Sequence, residues 1–260
     1  MLARWVITIG IIIILAAAGT VYYSVNRTPA AQTASAATAL PEEESIPRPK
    51  NIGEQITYQV QLGKITLGTS RFNFLNAHLE NNAYINEMIF ETNLFRFSDT
   101  EHIFSDANTY LPITIERSVK NLFSKETIRE EYDQKNYTVT IIKTAGGKTQ
   151  KPVTIQKQAP IQNSILLPHY VRQLPDLQVG MEFKVNIPTR ELTIKLASIE
   201  SITVPAGTFQ AYHFESIPQQ VEIWISADEQ RIPLRIQGMG NFGYTLVMKE
   251  YFPPKKELLP

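Results

Sequence analysis

The feature that most constrains this chain is a repeated alternation of apolar and polar residues in short runs that turn signals separate. The clearest case is residues 196–237, where Pro205-Ala206-Gly207-Thr208 and Ala227-Asp228-Glu229-Gln230 interrupt the alternation. Proline presets φ and glycine can adopt positive φ, so the first interruption has the chemistry of a turn between two strands. A period of two places successive side chains on opposite faces of a strand. The stretch therefore predicts three or four successive antiparallel strands.

Individual residues of this stretch have definite expected places. Phe209 is expected to share one face of its strand with Ala211, His213 and Glu215. Trp224 is expected in a core or an interface. Pro233 cannot donate to a ladder, so it predicts an edge position or a bulge. Asp228 and Arg231 flank a turn and are expected to pair across it, which at a surface is worth less than about 1 kcal/mol.

The same alternation recurs through the rest of the chain. Further strands are predicted at 54–62, 65–74, 83–92, 94–105, 110–118, 125–132, 136–143, 149–156, 180–187, 192–196 and 244–251. Gly68 is expected to mark a bulge, because the apolar parity switches there, and residues 76–82 are expected to form a loop. Residues 161–174 have helical spacing with Asn163 or Ser164 as an N-cap, but Pro168 limits the helix to one or two turns.

About a dozen short strands with one short helical segment are typical of an all-β domain. The fold class predicted from the sequence is therefore a mainly antiparallel β domain. A curved sheet, an open barrel and a sandwich are all compatible with the pattern.

Three motifs and an opening hairpin resemble one protein family. The motifs are E-x-x-x-V-P-A-G-T-F-x-A from Glu200, W-x-S-x-D from Trp224 and R-x-P-L-R-I from Arg231, and the hairpin runs from Tyr58 to Ser70. In this order they resemble the bacterial envelope family called domain of unknown function 3108, over about residues 55–250. The resemblance implies an exported, mostly antiparallel β domain and carries over no catalytic residues. The motif positions are Pro205, Gly207, Phe209, Trp224, Asp228, Arg231 and Pro233.

The N-terminal segment from Trp5 to Val25 is an uncharged apolar run long enough to span a bilayer as a helix. Tyr22 and Tyr23 near its end fit the interfacial position of aromatic residues. The alternative is a cleaved signal peptide, because residues 16–18 are three alanines that offer a small-residue cleavage site. With the anchor retained, the chain would cross the bacterial inner membrane once and place its C-terminal domain in the periplasm.

The expected organisation has four parts. Residues 1–25 form the anchor or uncleaved signal, and residues 26–52 form a flexible linker rich in Ala, Thr, Pro and Glu that has too little apolar surface to fold. Residues 53–252 form the exported β domain, and residues 253–260 are a tail.

Composition excludes several classes of chemistry. The 25 basic and 25 acidic residues balance and are scattered, so no nucleic-acid partner is expected. The absence of cysteine excludes a disulfide scaffold, a thiolate nucleophile and an N-terminal lipid anchor on cysteine. The four histidines have no metal-ligand spacing, and the G-x-G-x-x-G at 238–243 lacks the following helix that a dinucleotide site needs. No metal or cofactor is therefore expected.

A cluster of carboxylates in the 196–237 stretch raises the question of catalysis. Paired carboxylates can hydrolyse glycosides, but alternation more simply makes these side chains the solvated face of the sheet. They are Glu200, Glu215, Glu222, Asp228 and Glu229.

The aromatic content suggests binding instead. A concave apolar sheet could hold an acyl chain, since each buried methylene contributes about 0.8 kcal/mol. The simpler interpretation is that the phenylalanines fill the core; they are Phe72, Phe74, Phe90, Phe209 and Phe214. The function predicted from the sequence is a membrane-tethered, non-catalytic binding domain for an apolar envelope component, either lipid or lipoprotein. The alternatives are a protein–protein scaffold that uses exposed strand edges and, with least support, a hydrolase.

Overall fold

A computed structural model describes residues 49–239 and 243–255 of the chain. The predicted span from Trp5 to Val25 lies outside the described residues, as do residues 26–48 of the predicted linker. Within the described ranges there is no helix of the length and hydrophobicity that crossing a bilayer requires.

Fifteen strands and one short helix build the described part of the chain. The strands are β1 (Gln55–Leu62), β2 (Ile65–Glu80), β3 (Ala83–Leu94), β4 (Phe97–Asp106), β5 (Pro112–Asn121), β6 (Lys125–Asp133), β7 (Thr138–Ala145), β8 (Lys148–Thr149), β9 (Val153–Gln156), β10 (Glu182–Ile187), β11 (Arg190–Val204), β12 (Gly207–Ile217), β13 (Val221–Ser226), β14 (Pro233–Gly238) and β15 (Thr245–Phe252). The helix α1 is Leu167–Val171. The predicted all-β class with one short helical segment is confirmed.

All fifteen strands belong to one antiparallel sheet. Its order is β10-β11-β12-β13-β14-β15-β1-β2-β3-β4-β5-β6-β7-β8, with β9 pairing with β7 beside β8. The segment after β9 then reaches the other end of the sheet, where Ile161 forms a parallel bridge with Asn186 and the Gln162 amide donates to the Asn186 carbonyl at 2.6 Å. This contact brings the two ends of the sheet together, so the sheet is curled and barrel-like, and the edge strand β10 is bridged at Asn186.

The curled sheet encloses an aromatic core. Phe72, Phe74, Phe90 and Phe214 are all buried, as the simpler interpretation of the sequence predicts, and Phe209 is half-buried against the same core. A second apolar cluster lies between α1, β10, β11, β12 and β13. The buried hydrophobic residues among those described all fall between Ile52 and Met248. Residues 49–260 therefore supply their own core, and we expect this fragment to fold without the residues before it.

The segment 161–174 crosses the inside of the curled sheet and contains α1. Pro168 lies in the first turn of α1, where no backbone donor is required, so it does not disturb the helix. The Asn163 side chain accepts a hydrogen bond from the Ile165 amide at 2.8 Å, one turn before the helix. Leu166 is the N-cap and makes no side-chain cap, so the prediction of Asn163 or Ser164 at that position is wrong.

Two other local predictions are corrected. Residues 76–82 do not form a loop: β2 continues to Glu80, and Asn81 and Asn82 make a tight hairpin turn with φ of 47° and 61°. The extension is mostly exposed, Leu79 included, so backbone pairing and not apolar burial maintains it, and hydrophobic alternation cannot reveal it. The strand predicted at 149–156 is divided into β8 and β9, with Pro152, which has no amide donor, in the break.

The 196–237 stretch folds as predicted into consecutive antiparallel strands, β11 to β14. The bulge expected at Pro233 is present, because Ile225 pairs with Pro233 whereas Trp224 pairs with Arg235. The bulge expected at Gly68 is present too. A Cβ atom on Gly68 would lie 2.1 Å from the Asn93 carbonyl oxygen, so the close approach of two strands requires glycine there.

The turn between β11 and β12 gives a direct test of this region. Gly207 has φ of +142°, a conformation that a β-branched residue adopts only with strain, so Gly207→Val should lower the free energy of unfolding by more than about 1 kcal/mol. The neighbouring exposed Ala206, which is not among the positive-φ residues, gives a matched control in Ala206→Val. Urea unfolding of residues 49–260 can be followed by fluorescence, since Trp224 is the sole tryptophan of that fragment. Equal effects of the two substitutions would contradict this account of the turn.

Candidate functional site

The family-like motifs meet on one face of β11 to β14. The Trp224 indole N–H donates to Glu200 Oε1 at 2.7 Å, which joins the first motif to the second. The His213 ring stacks on Trp224 with ring centroids 4.2 Å apart, and the Arg235 guanidinium lies 4.7 Å from the Trp224 ring centre. Glu222 Oε2 is 3.6 Å from His213 Nε2. These contacts pack a buried tryptophan between its cross-strand neighbours. Glu200 and Trp224 therefore have structural reasons to be where they are.

The third motif holds the end of α1. Asp228 Oδ1 accepts hydrogen bonds from the backbone amides of Gln230 and Arg231, so it caps its own turn. The Arg231 guanidinium donates to the carbonyl oxygens of Arg172 and Leu174, just after α1. In the described part of the chain Asp228 and Arg231 form no ion pair with each other, so the prediction that they pair across the turn is wrong. Each instead satisfies backbone groups, which is how a turn and a helix end are usually stabilised.

The remaining motif positions also have structural surroundings. Pro205 is exposed in the β11–β12 turn, and the buried Pro233 uses its carbonyl oxygen to accept a hydrogen bond from the Tyr58 hydroxyl at 3.1 Å. The structure thus brings Trp224, Asp228, Arg231 and Pro233 to the strands and loop that flank α1.

A buried ion pair connects the same region to the start of the sheet. Arg172, directly after α1, donates to both oxygens of Glu54 at 2.8 and 3.0 Å and to the Gln230 carbonyl at 2.7 Å. The Glu54 side chain is 0% exposed and that of Arg172 is 7% exposed. Tyr251 donates a further hydrogen bond to Glu54 at 3.0 Å. The two charges therefore satisfy each other in a place that water does not reach.

His169 of α1 lies in an aromatic cage. Its ring centroid is 4.1 Å from Phe72, 5.2 Å from Phe74 and 6.0 Å from Tyr110. Burial, and then the nearby Arg172 charge, holds the pKa of His169 well below its usual value, so the ring is neutral at physiological pH. The His169 ring therefore packs as part of the aromatic core.

A second group of buried charges lies on the inner face of β4, β5 and β6. Arg117 makes a forked contact with Asp99 that includes hydrogen bonds of 2.8 and 3.0 Å, and Glu101 Oε1 lies 3.3 Å from Arg117 Nε. Glu130 lies close by and accepts a hydrogen bond from the Tyr132 hydroxyl. Beside this cluster is a half-open cavity of about 60 Å³, lined also by residues 163–165 and 187–189.

One arginine thus faces three carboxyl groups in a dry setting. Burial raises the pKa of Glu101 to about 8, and the neighbouring Asp99 and Glu130 add to that effect although Arg117 opposes it. Burial also raises the pKa of Glu130. The physical reason is that Asp99 already takes the forked contact with Arg117, so the other two carboxyl groups are easier to bury when protonated. In the described residues there is no group of three or more metal-ligating side chains placed to hold an ion.

A group of exposed apolar residues lies at a different place, which we call the hairpin rim: residues 62–65, 94–97, 120–125 and 146–148. Other exposed apolar residues, such as Val153, Val179 and Ile217, are spread over the described surface. The rim residues are the tips of the hairpins β1–β2, β3–β4, β5–β6 and β7–β8. They lie side by side, because one cross-strand row joins Val60, Gly68, Leu94, Phe97 and Asn121 just below the first three tips.

The rim contains the two most exposed aromatic side chains among those described. Phe95 is 78% exposed and Phe123 is 77% exposed. Leu62, Ile65 and Leu122 are exposed beside them. Neighbouring strands are about 4.8 Å apart, so the tips that carry Phe95 and Phe123 are separated by about 10 Å. The rim is therefore a compact apolar surface that the fold itself does not use.

Sequence reasoning missed most of these groups. Glu54, Arg172 and the carboxyl groups around Arg117 form pairs between distant positions; Glu54 and Arg172, for example, are 118 residues apart. Alternation places each of them on a face but does not say which faces meet. The rim had a detectable signal, because Leu94-Phe95 and Leu122-Phe123 are apolar pairs where polar turn residues are usual.

The fold and these clusters define a barrel-like antiparallel β domain built around its own aromatic core. A solved structure supports this class: a β-barrel-like protein of the domain of unknown function DUF1849 from Brucella abortus matches with a TM-score of 0.51 and 9% identity, covering 80% of this chain and 100% of that one. At that identity the likeness concerns the fold alone.

The family assignment follows from the sequence. A family model for proteins of unknown function, DUF3108, matches residues 57–249, and the chain belongs to that family. The resemblance that the motifs indicated is therefore confirmed. No curated protein matches the chain.

Two further solved structures match with lower scores. One, from Bacteroides fragilis, is described as exported and as having a YmcC-like fold, with 11% identity, a TM-score of 0.30 and coverage of 79% of this chain and 98% of that one. The other is described as a lipoprotein of Parabacteroides distasonis, with 8% identity, a TM-score of 0.31 and coverage of 79% and 97%. These scores add nothing to the fold assignment.

The contact of Arg231 with the end of α1 can be tested by mutation. Arg231→Ala removes both hydrogen bonds to the carbonyl oxygens of Arg172 and Leu174, so it should lower the free energy of unfolding by about 1 to 3 kcal/mol. Arg129→Ala is the control, because Arg129 is half exposed and its pairs with Glu116 and Glu131 should contribute less than about 1 kcal/mol. Urea unfolding of residues 49–260 measures both. An Arg231→Ala variant as stable as Arg129→Ala would show that the contact does not hold the helix.

The buried carboxyl group of Glu101 predicts a pH dependence of stability. The folded protein keeps Glu101 protonated up to about pH 8, whereas an unfolded glutamate ionises near its ordinary value of 4.5. The folded state therefore binds more protons between these values, and its stability falls as pH rises through that window. Glu101→Gln removes this contribution, so we expect its free energy of unfolding to gain about 1 to 3 kcal/mol on the wild type between pH 5 and pH 8. The exposed Glu229→Gln should run parallel to the wild type; if Glu101→Gln does so as well, Glu101 is ionised in the fold.

Proposed function

We propose that the protein is a non-catalytic binding domain of the bacterial cell envelope that engages an apolar component, a lipid or a lipoprotein, through its hairpin rim. The observation that carries the proposal is the concentration of exposed apolar side chains at adjacent hairpin tips, above all Phe95 and Phe123. Exposed apolar patches on soluble domains commonly mark interaction sites.

The interior of the curled sheet is filled, which favours a binding site on the outer surface of the domain. The concave face is occupied by buried phenylalanines and by α1, and the cavity beside Arg117 has a volume of about 60 Å³. Pockets for small ligands usually measure about 300 to 1,000 Å³, so that cavity is far too small for an acyl chain. An apolar partner would therefore meet the rim and not this cavity.

The carboxylates considered for hydrolysis are better explained as parts of the fold. Glu200 accepts the Trp224 indole, and Asp228 caps its own turn. Glu222 accepts a hydrogen bond from the Gln219 side chain and faces His213. These contacts support a structural role for the three carboxylates and favour a binding domain over a hydrolase.

The strand edges give less support to the scaffold alternative. At one end of the sheet β10 is bridged by Ile161, and at the other β8 is two residues long and β9 four. Short or covered edges are poor templates for adding a strand from another protein. The rim is the more suitable surface.

The proposal also includes a location for the protein, at the inner membrane with the β domain in the periplasm. The sequence from Trp5 to Val25 supports an inner-membrane anchor, and the family resemblance supports export. In that arrangement the β domain acts in the periplasm, close to lipids and lipoproteins.

Photocrosslinking in living bacteria tests the proposal with the full chain. Benzoyl-phenylalanine replaces Phe95 or Phe123, whose exposure leaves room for the added benzoyl group, and after irradiation the adducts are identified by mass spectrometry. We expect lipid or lipoprotein adducts at both positions. Phe252 is the matched control, because it is an exposed phenylalanine that pairs with Gln55 at the start of β1, whereas the rim lies at the end of β1. Adducts confined to proteins without lipid, or rim positions that label no more than Phe252, would overturn the proposal.

A further inference from the structure

The hairpin rim carries positive charge as well as apolar surface. Each of its four tips contributes at least one basic side chain, and all of these side chains are exposed: Lys64, Arg96, Lys120, Lys125 and Lys148. Lys120 and Lys125 are direct cross-strand partners, an arrangement of like charges that costs stability. Within the residues that the structure describes, none of the five forms an ion pair.

Several acidic side chains of these hairpins are already engaged. Glu126 pairs with Lys143 at 2.7 Å, and Asp99 and Glu101 face Arg117 on the inside of the sheet. The rim cations are therefore not neutralised by the nearest carboxylates of their own hairpins.

Two turns at the other end of these hairpins contain aspartates that have a structural reason to be there. Asp106 accepts hydrogen bonds from the amides of Asn108 and Thr109, and Asp133 does the same for Lys135 and Asn136. These aspartates are explained as turn caps. The rim cations make no comparable contacts in the described structure, so a partner outside the domain is the simpler explanation for them.

The way in which cations and apolar groups alternate along the rim indicates the partner. The Arg96 guanidinium lies 4.9 Å from the centre of the exposed Phe95 ring, and Leu122-Phe123 lies between Lys120 and Lys125. A lipid surface offers phosphates for the cations and, a few ångströms deeper, an apolar layer for the aromatic rings. A folded acidic protein would match the charges but would not need three apolar tips side by side.

We infer that the hairpin rim docks on the surface of an anionic phospholipid bilayer. Phe95, Leu122 and Phe123 enter the boundary between headgroups and acyl chains, while the five basic side chains bind lipid phosphates. This inference rests on the proposed function, because it names a bilayer surface as the apolar component that the rim engages.

The absence of cysteine from the chain makes a site-specific test straightforward. Leu122→Cys in the full chain carries an environment-sensitive nitrobenzoxadiazole label at the rim, and Asn108→Cys carries the same label at an opposite turn. Each protein is reconstituted into vesicles of phosphatidylcholine alone or of phosphatidylcholine mixed with phosphatidylglycerol. An excess of protein-free vesicles of the same composition lets the rim reach its own or a neighbouring bilayer.

We expect the emission of the Leu122→Cys label to shift to the blue and increase in vesicles that contain phosphatidylglycerol, and to stay unshifted in pure phosphatidylcholine. The Asn108→Cys label should respond to neither lipid. Added salt should reverse the shift, because exposed charges are screened over about 10 Å at 0.1 M. Adding Lys120→Ser and Lys125→Ser to the labelled chain should abolish the shift. Lys135→Ser, in the β6–β7 turn, should leave it unchanged.

The outcomes separate this inference from the proposed function. An equal response in both lipids, or a shift that survives loss of Lys120 and Lys125, would overturn docking on an anionic surface. If crosslinking at Phe95 and Phe123 captures a lipoprotein while the label does not respond to phosphatidylglycerol, the inference fails and the proposed function stands. If neither experiment detects an apolar partner, both fail.

Discussion

The buried pair of Glu54 and Arg172 is the interaction on which the arrangement of this domain depends. A single antiparallel sheet has one apolar face to cover, and here it does so by curling around a segment of its own chain, residues 161–174. That segment is fixed at its end because Arg172 meets Glu54 at the start of β1 while Arg231 holds the adjacent carbonyl groups. Breaking such a pair leaves a charge buried without compensation, which typically costs about 3 to 5 kcal/mol. The curl of the sheet, the aromatic cage around His169 and the filled interior therefore belong together.

The sequence predicts the local structure of this fold well because strands and turns depend on neighbouring residues. Alternation locates most of the strands, and Gly207 and Gly68 mark a turn and a bulge that require glycine. The helix is as short as expected, although Pro168 lies in its first turn and does not disturb it. The errors occur where the residues are exposed, because the sequence there shows no alternation of buried and exposed positions. The end of β2 and the Asn81-Asn82 turn are mostly exposed, so backbone hydrogen bonding alone defines them.

The candidate sites are harder to predict, because they depend on which distant residues meet. Asp228 and Arg231 look like an ion pair in the sequence. Asp228 instead accepts hydrogen bonds from the backbone of its own turn, whereas the Arg231 guanidinium donates to carbonyl groups just after α1. Arg117 and its three carboxyl groups come from the consecutive strands β4, β5 and β6, but alternation does not show that their side chains meet on the inner face. The apolar hairpin tips are the exception, since a phenylalanine in a turn has no local structural reason to be there.

These observations divide the molecule into parts with different tasks. The motifs that define the family maintain the fold around α1, and the buried charges of Arg117 and Glu101 belong to the interior. The rim is left as the part that the fold does not need, and in it apolar and basic side chains alternate. We therefore propose that the hairpin tips, and not the motif residues, form the binding surface of the protein.

Hydrogen–deuterium exchange of the unlabelled full chain tests this account most directly, because it reports on every turn of the domain at once. The chain is compared in neutral vesicles and in vesicles that contain phosphatidylglycerol. The account predicts slower exchange of the backbone amides at 62–65, 94–97, 120–125 and 146–148 in the anionic vesicles, with no change at 81–82, 107–111 and 134–137. Unchanged exchange at the rim, or protection of the opposite turns instead, would contradict it.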